Sequence, residues 1–218
     1  MQLFLNIFVF FSKATHSYGI GIIILTLIIR LLMFPLYRTQ LQSMKKMQEI
    51  GPEMKRLQER YKNDKQKLAE EQMRLYREKG VNPMVSCLPM LLQLPLLYAF
   101  YDMLRGFKYN LPGLSTRFLW LPTLGHQDPY LILPILGGLS TYWQTKISMS
   151  LQAGMGAGQM QFMTYLMPLF MFYIFWRLPS GLAVYWVVSN VATILQQYLT
   201  IGSLTSPGGK SPDLQGSR

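Results

Sequence analysis

Charge in this 218-residue chain is confined: 19 of its 31 charged residues lie between Arg38 and Lys79, and the other 176 residues carry only 12. An ordinary soluble protein is charged at roughly a quarter of its positions, enough to cover its water-facing surface. Outside the charged block this chain has no such cover. Half of its residues are apolar, including 13 Tyr, 12 Phe, 15 Met and 4 Trp, a composition that suits a bilayer better than water. The chain therefore reads as an all-α integral membrane protein with one highly charged segment.

Five apolar runs are near the length a bilayer demands: residues 20–37, 85–104, 130–149, 160–176 and 182–201. The first is interrupted only by Thr26 and Arg30. Pro89, Pro95, Pro134 and Pro168 fall inside later runs, where neighbouring helices re-satisfy the freed carbonyls, so bends are expected there. Ahead of the first run, Leu3, Phe4, Ile7, Phe8 and Phe11 recur at helical spacing over a segment too short to span, which fits a helix lying in the interface. The expected divisions are an interfacial helix at 1–18, a first span at 19–37, a helical hairpin at 38–83, spans two to five within 84–201 with a loop at 105–128, and a disordered Gly, Ser and Pro-rich tail at 202–218.

Within the charged block, Met47, Ile50, Met54, Leu57 and Tyr61 step by three and four, and Leu68, Gln72 and Leu75 resume a similar seam after Asn63 and Asp64. Two short antiparallel helices follow. Gly51–Pro52 should start or kink the first arm, because proline removes a donor and restricts its predecessor. Gly80 and Pro83 should stop the second. The hairpin holds 12 Lys and Arg against three in the loop (Arg105, Lys108, Arg117), so the positive-inside rule puts the hairpin and C-terminus in the cytoplasm and the N-terminus outside. Lys146 agrees with that orientation; Arg177, on the outer side, is a minor exception.

The sequence excludes several chemistries. Cys87 is the single cysteine and His16 and His126 are the two histidines, which leaves no internal disulfide and no plausible zinc or haem cluster. The phosphate-binding GxxxxGK[ST] loop, HExxH and GxSxG are absent, no credible nucleophile or acid–base pair lies deep in the apolar runs, and no cofactor or DNA partner is implied. Gly154, Gly156 and Gly158 read as a flexible connector.

Arg30 is the conspicuous residue. A guanidinium deep in an apolar helix costs roughly 2.5–3.5 kcal/mol on insertion scales. Either it snorkels, since Tyr37 is seven residues on and about 10 Å nearer the inner end, or it faces a water-filled cavity, with Thr26 one turn away extending the polar face. In the last run Trp186, Asn190, Thr193 and Gln197 step by four, three and four beside Tyr185, Ser189 and Gln196. That stripe lines a cavity or bonds helix to helix, and Gln93 and Gln144 carry the same two readings. A cation among uncharged polar groups, with no acid deep in the membrane, favours an anionic or polar guest over a cation channel or proton relay. Asp102 and Asp128 fall at outer ends, where a carboxylate is ordinary. The hairpin's excess of positive charge is a solvated helical face or a surface for anionic headgroups, ribosomal RNA or a protein, and Met44, Met47, Met54 and Met73 supply either an adaptable apolar surface or core packing.

These residues carry a resemblance. Arg30 followed by Pro35, the run Tyr76-Arg77-Glu78-Lys79-Gly80-Val81-Asn82-Pro83, Gln93-Leu94-Pro95, Gln127-Asp128-Pro129-Tyr130 with Leu133-Pro134, and Pro179-Ser180-Gly181-Leu182 before Tyr185-Trp186 and Asn190 together resemble the YidC-type membrane protein insertases over residues 20–199. The resemblance implies five transmembrane helices around a hydrophilic groove open to cytoplasm and lipid and sealed outside, with Arg30 in the groove and a mobile cytoplasmic hairpin. It implies insertion and chaperoning of nascent membrane proteins without nucleotide hydrolysis, alone or beside the Sec translocon, with the ribosome as a further partner, by a monomer. The chain resembles the shorter Gram-positive type, in which a lipoprotein signal with a lipidated Cys often precedes the core, so the native N-terminus is expected to extend beyond Met1. The expected groove residues are Arg30, Thr26, Gln93, Gln144, Tyr185, Trp186, Asn190 and Gln197. From another class, an anion or lipid transporter could use the same arginine, but it would want an internal repeat, and none is found.

Overall fold

The computed structural model describes residues 2–82, 84–106, 113–150 and 161–205. Among these, the regular elements are helices, and extended backbone meets only at isolated bridges, Ser17 with Ser115 and Phe118 with Leu121.

Helix α1 (Gln2–Thr15) extends through Ser12 and Lys13 to Thr15, whose Oγ1 donates to the Phe11 carbonyl at 2.7 Å. His16, at φ 53°, turns the chain, and Ser17 caps α2 (Tyr18–Leu32). The two helices pack along each other. Phe8 stacks on Tyr18 with ring centroids 6.2 Å apart, and both are fully buried.

The apolar run 20–37 is not one straight helix. α2 ends at Leu32 and α3 (Phe34–Glu49) departs at 59°, with Pro35 in the first turn of α3, where its missing N–H costs least. No single helix among the described residues is long and apolar enough to cross a membrane; this bent pair passes by length and composition.

A corner at Ile50 separates α3 from α4 (Gly51–Arg60), whose first turn holds Pro52. Asp64 then caps α5 (Lys65–Glu78) by accepting the Lys67 N–H at 3.0 Å. α5 ends with Gly80 at φ 62°, the Gly80 N–H on the Arg77 carbonyl at 3.2 Å and the Val81 N–H on the Tyr76 carbonyl at 2.9 Å. That is a Schellman stop, which needs a left-handed residue and so favours glycine. Val81 then closes a small apolar cluster with Met47, Ile50 and Tyr76. The Lys79 ammonium pairs with Glu53 at 2.6 Å and ties the arms together.

Four further helices complete the bundle: α6 (Met84–Gly106), α7 (Ile132–Ser150), α8 (Met167–Arg177) and α9 (Ser180–Thr205). A π-helical turn, Phe162–Leu166, leads into α8. It sits where the ring of Pro168 would crowd the carbonyl four residues back, and the wider turn relieves that contact. α9 packs against both α2 and α7, and α7 against α8. The main core gathers Tyr18, Ile22, Leu25, Phe100, Phe175 and Tyr185, with Phe100 stacked on Tyr185 at 4.1 Å. α9 continues to Thr205, four residues past its expected end. The expected connector at 154–158 and the tail from 206 lie outside the described residues.

At the end of the bundle away from the hairpin, residues 113–131 fold into a cap. Leu121 and Leu124 are buried in the main core, and the Ser180 and Gly181 N–H groups donate to the His126 and Leu124 carbonyls at 2.7 and 2.9 Å. Phe118 lies so close over Gly19 that a β-carbon there would fall 2.0 Å from its ring. Asp128 is not the ordinary interfacial carboxylate its position suggested. It is 3% exposed and accepts from Trp120 Nε1 and the Tyr130 N–H, each at 3.1 Å, and from the Leu133 N–H at 2.7 Å.

Candidate functional site

The polar residues of α9 do not form one cluster. A helix in the middle of a bundle shows different faces to different neighbours, and the polar positions divide between α2 and α6 on one side and α7 on the other.

On the first side Arg30 projects from the last turn of α2. Its Nε donates to Ser189 Oγ at 2.9 Å, and its terminal nitrogen bonds the same hydroxyl. Gln196, two turns along α9, donates to the Arg30 carbonyl at 3.2 Å. Tyr185 Oη accepts from Gln93 Nε2 on α6 at 2.6 Å, and the Tyr37 hydroxyl of α3 lies beside Gln197. Four helices, α2, α3, α6 and α9, thus contribute to one polar seam around a single cation. The guanidinium has five donors, and among the described residues no carboxylate pairs with it. Arg30 is half-buried, so part of it remains accessible.

On the second side Trp186 Nε1 donates to Thr141 Oγ1 at 2.8 Å, and the Asn190 amide lies 3.1 Å from Ser140 Oγ and 3.2 Å from Thr141 Oγ1. With its oxygen turned towards them, Asn190 also accepts from Trp186 at 3.1 Å. Gln197 and Gln144 both donate to Ser148 Oγ, at 2.7 and 3.2 Å. The Trp186, Asn190 and Gln197 bonds join α9 to α7, and the Gln144 bond lies within α7.

Of the eight residues expected in a groove, Arg30, Gln93 and Tyr185 meet on the α2–α6 side, while Trp186, Asn190, Gln144 and Gln197 bond within the α7–α9 seam. Thr26 is fully buried, and its hydroxyl donates to the Ile22 carbonyl of its own helix at 2.7 Å. Ser140, Thr141 and Ser148 were not anticipated, although with Gln144 they recur at intervals of three and four along α7. Ser189, read as a neighbour of the stripe, is the direct partner of Arg30.

The sequence pattern described as the 60Kd inner membrane protein family matches residues 10–206. A "Membrane protein insertase YidC" of Caldanaerobacter subterraneus is 42% identical over 203 residues, 93% of this chain and 94% of that protein. The chain belongs to the YidC family. "Membrane protein insertase YidC 1" of Listeria monocytogenes is 42% identical over 187 residues, 84% of this chain, and the YidC of Geobacter sulfurreducens is 40% identical over 201 residues, 92% of this chain. The chain spans 63% of the length of that Listeria YidC and 37% of the Geobacter one. A solved structure described as an active YidC insertase crystal structure with the first transmembrane domain resolved superposes with a TM-score of 0.68 at 28% identity, over 91% of this chain and 45% of that one. The all-α architecture is therefore the YidC fold, and membership places the chain among bacterial membrane proteins.

Proposed function

We propose that this protein is an insertase that helps newly made proteins enter and fold in the bacterial plasma membrane. The observation that carries it is Arg30: a half-buried cation on an apolar helix whose partner is a serine hydroxyl and not a carboxylate. A cation left without a counter-ion in an apolar bundle attracts an anionic guest, because Coulomb energy grows as the local dielectric falls.

In this reading α2 with the start of α3, and α6, α7, α8 and α9, form five spans, the hairpin faces the cytoplasm, and the cap faces outward with the N-terminus. The seam of Arg30, Ser189, Gln196, Gln93 and Tyr185 lines a groove that shortens the apolar barrier for a hydrophilic flank. Arg30 draws acidic residues of that flank inward, and the apolar segment of the substrate then partitions into lipid, driven by burial of its own surface. No bond is made or broken, and no nucleotide or cofactor is needed. The cap bonded onto α9 keeps the groove closed on the outside. The Sec translocon and the ribosome fit as partners at the lipid-facing and cytoplasmic sides, and the working unit is a monomer.

Photo-crosslinkers at Gln93 and Gln196 should capture a stalled nascent membrane protein, while one at the lipid-facing Leu169 should not; capture at Leu169 alone would move the path away from Arg30. For orientation, cysteines at Lys62 and Ser115 in a Cys87→Ser background should react with an impermeant reagent from opposite sides of the membrane.

A further inference from the structure

Two cavities share Trp176. One, of about 720 Å³, opens where the cap meets the end of α8 and is bordered by His126, Gln127, Asp128, Arg177 and Pro179. The other, of about 620 Å³, follows α8 past Phe162, Leu166, Phe170 and Tyr173 to Trp176. Both have the size of small-molecule sites, which span roughly 300–1,000 Å³. A polar chamber joined at a tryptophan to an apolar furrow matches an amphiphile with one polar end and a long apolar chain.

The polar chamber offers one uncommitted charge. Asp128 is buried, and both of its oxygens are engaged by Trp120, Tyr130 and Leu133. Among the described residues Arg177 has no carboxylate partner. Its guanidinium carbon lies 5.1 Å from the Trp176 ring centroid and 5.8 Å from that of Tyr173. Stacking on rings fixes the guanidinium plane while its edge N–H groups stay able to grip an oxyanion with two parallel bonds. Gln127 anchors the backbone beneath it, donating to the Arg177 carbonyl at 3.1 Å. The cation is thus held in place, and among the described residues none of its donors is hydrogen-bonded.

We propose that this site binds one glycerophospholipid, its phosphodiester on Arg177 and an acyl chain along the Phe162–Trp176 furrow of α8. The proposal rests on the membrane reading above, which puts Arg177 at the outer leaflet, and it concerns a helix face away from the Arg30 seam. A single arginine reads the phosphate common to these lipids and not the group beyond it. A bound lipid would fill the space between cap and α8, making the cap's closure partly a property of the leaflet.

Native mass spectrometry of the intact protein from detergent tests it, with dioleoylphosphatidylglycerol, with dioleoylglycerol as the same chains without phosphate, and with inorganic phosphate as competitor. The wild type should retain one more phosphatidylglycerol than Arg177→Gln, whose affinity for that lipid falls about tenfold, the scale of one charge-assisted contact. Arg177→Lys, which keeps charge but loses the fork, should fall between. Equal retention by wild type and Arg177→Gln at matched melting temperature overturns the site, as does equal retention of dioleoylglycerol. Full displacement by inorganic phosphate would make it an anion site without a chain. A dimer that forms as lipid is lost would make the α8 face a contact between copies. Flotation with phosphatidylglycerol vesicles separates the two readings: a protein that floats but retains no lipid refutes this site alone, and one that does not float refutes the membrane reading.

Discussion

Asp128 in the cap and Arg30 between α2 and α9 are both charged groups drawn away from bulk water, and the fold treats them in opposite ways. The carboxylate is 3% exposed and receives three N–H donors within 3.1 Å. The guanidinium is only half-buried and, for all its donors, its side chain bonds one hydroxyl among the described residues. A buried charge whose hydrogen bonds are complete organises the chain around it and has nothing left to offer a guest. An incompletely bonded one adds little to the fold and keeps its field for whatever approaches. The difference separates a charge that builds the molecule from one that the molecule presents.

The sharpest way to break that contrast is Asp128→Ala. It leaves the Trp120 indole N–H and two backbone N–H groups without an acceptor, so stability should drop by about 3–5 kcal/mol, read as the shift in thermal unfolding in detergent. Asp128→Asn, which keeps one oxygen, should lose about half as much. A variant lacking the carboxylate that melts with the wild type would erase the distinction.

Next in size is Gly19→Ala, which forces a methyl group into the Phe118 ring and should cost about 1–3 kcal/mol. Gly19→Ala combined with Phe118→Leu should recover most of the loss, showing that the cap is seated by that contact. For the presented charge the expectation reverses. Arg30→Ala should melt at or above the wild-type temperature, since a cation leaves an apolar segment, while insertion of a substrate with an acidic flank into reconstituted vesicles falls about tenfold, or ~1.4 kcal/mol. Arg30→Lys should keep most of the activity if attraction, not the planar fork, is what counts. Unchanged insertion by a folded Arg30→Ala would leave the groove to act by polarity alone. Smallest of all is Lys79→Ala, which removes an ion pair whose members are both more than 40% exposed; less than about 1 kcal/mol should be lost, seen as slightly faster hydrogen exchange in α4 and α5.

How much of this could be read in the sequence depends on how local the cause is. The helical class followed from apolar run length, and the breaks at Gly51–Pro52 and Gly80 from residues that act on their own backbone. Arg30 was conspicuous because one cation in an apolar run has no neighbour to hide it. The bend at Met33 was not legible: hydrophobicity is continuous across it, and Pro35 alone does not distinguish a kinked span from two helices. Ser140, Thr141 and Ser148 do not stand out in the sequence because single hydroxyls are common in apolar helices, and they gain meaning only opposite Asn190 and Gln197. The role of Asp128 was hidden for a different reason. Its partner Trp120 lies eight residues away in an irregular loop, where no period links the two.

The bend at Met33 has a mechanical consequence. The backbone ladder continues through it, with the Met33 N–H on the Ile29 carbonyl and the Tyr37 N–H on the Met33 carbonyl, each at 3.0 Å. The corner is therefore a braced elbow and not a slack joint. α3, with 16 residues, is a rod of ~24 Å, and Arg30 sits three positions before the elbow. A push of a few ångströms on the hairpin end of that rod arrives at the elbow as a rotation of a few degrees, and the turn of helix carrying Arg30 is the first part of the bundle to feel it.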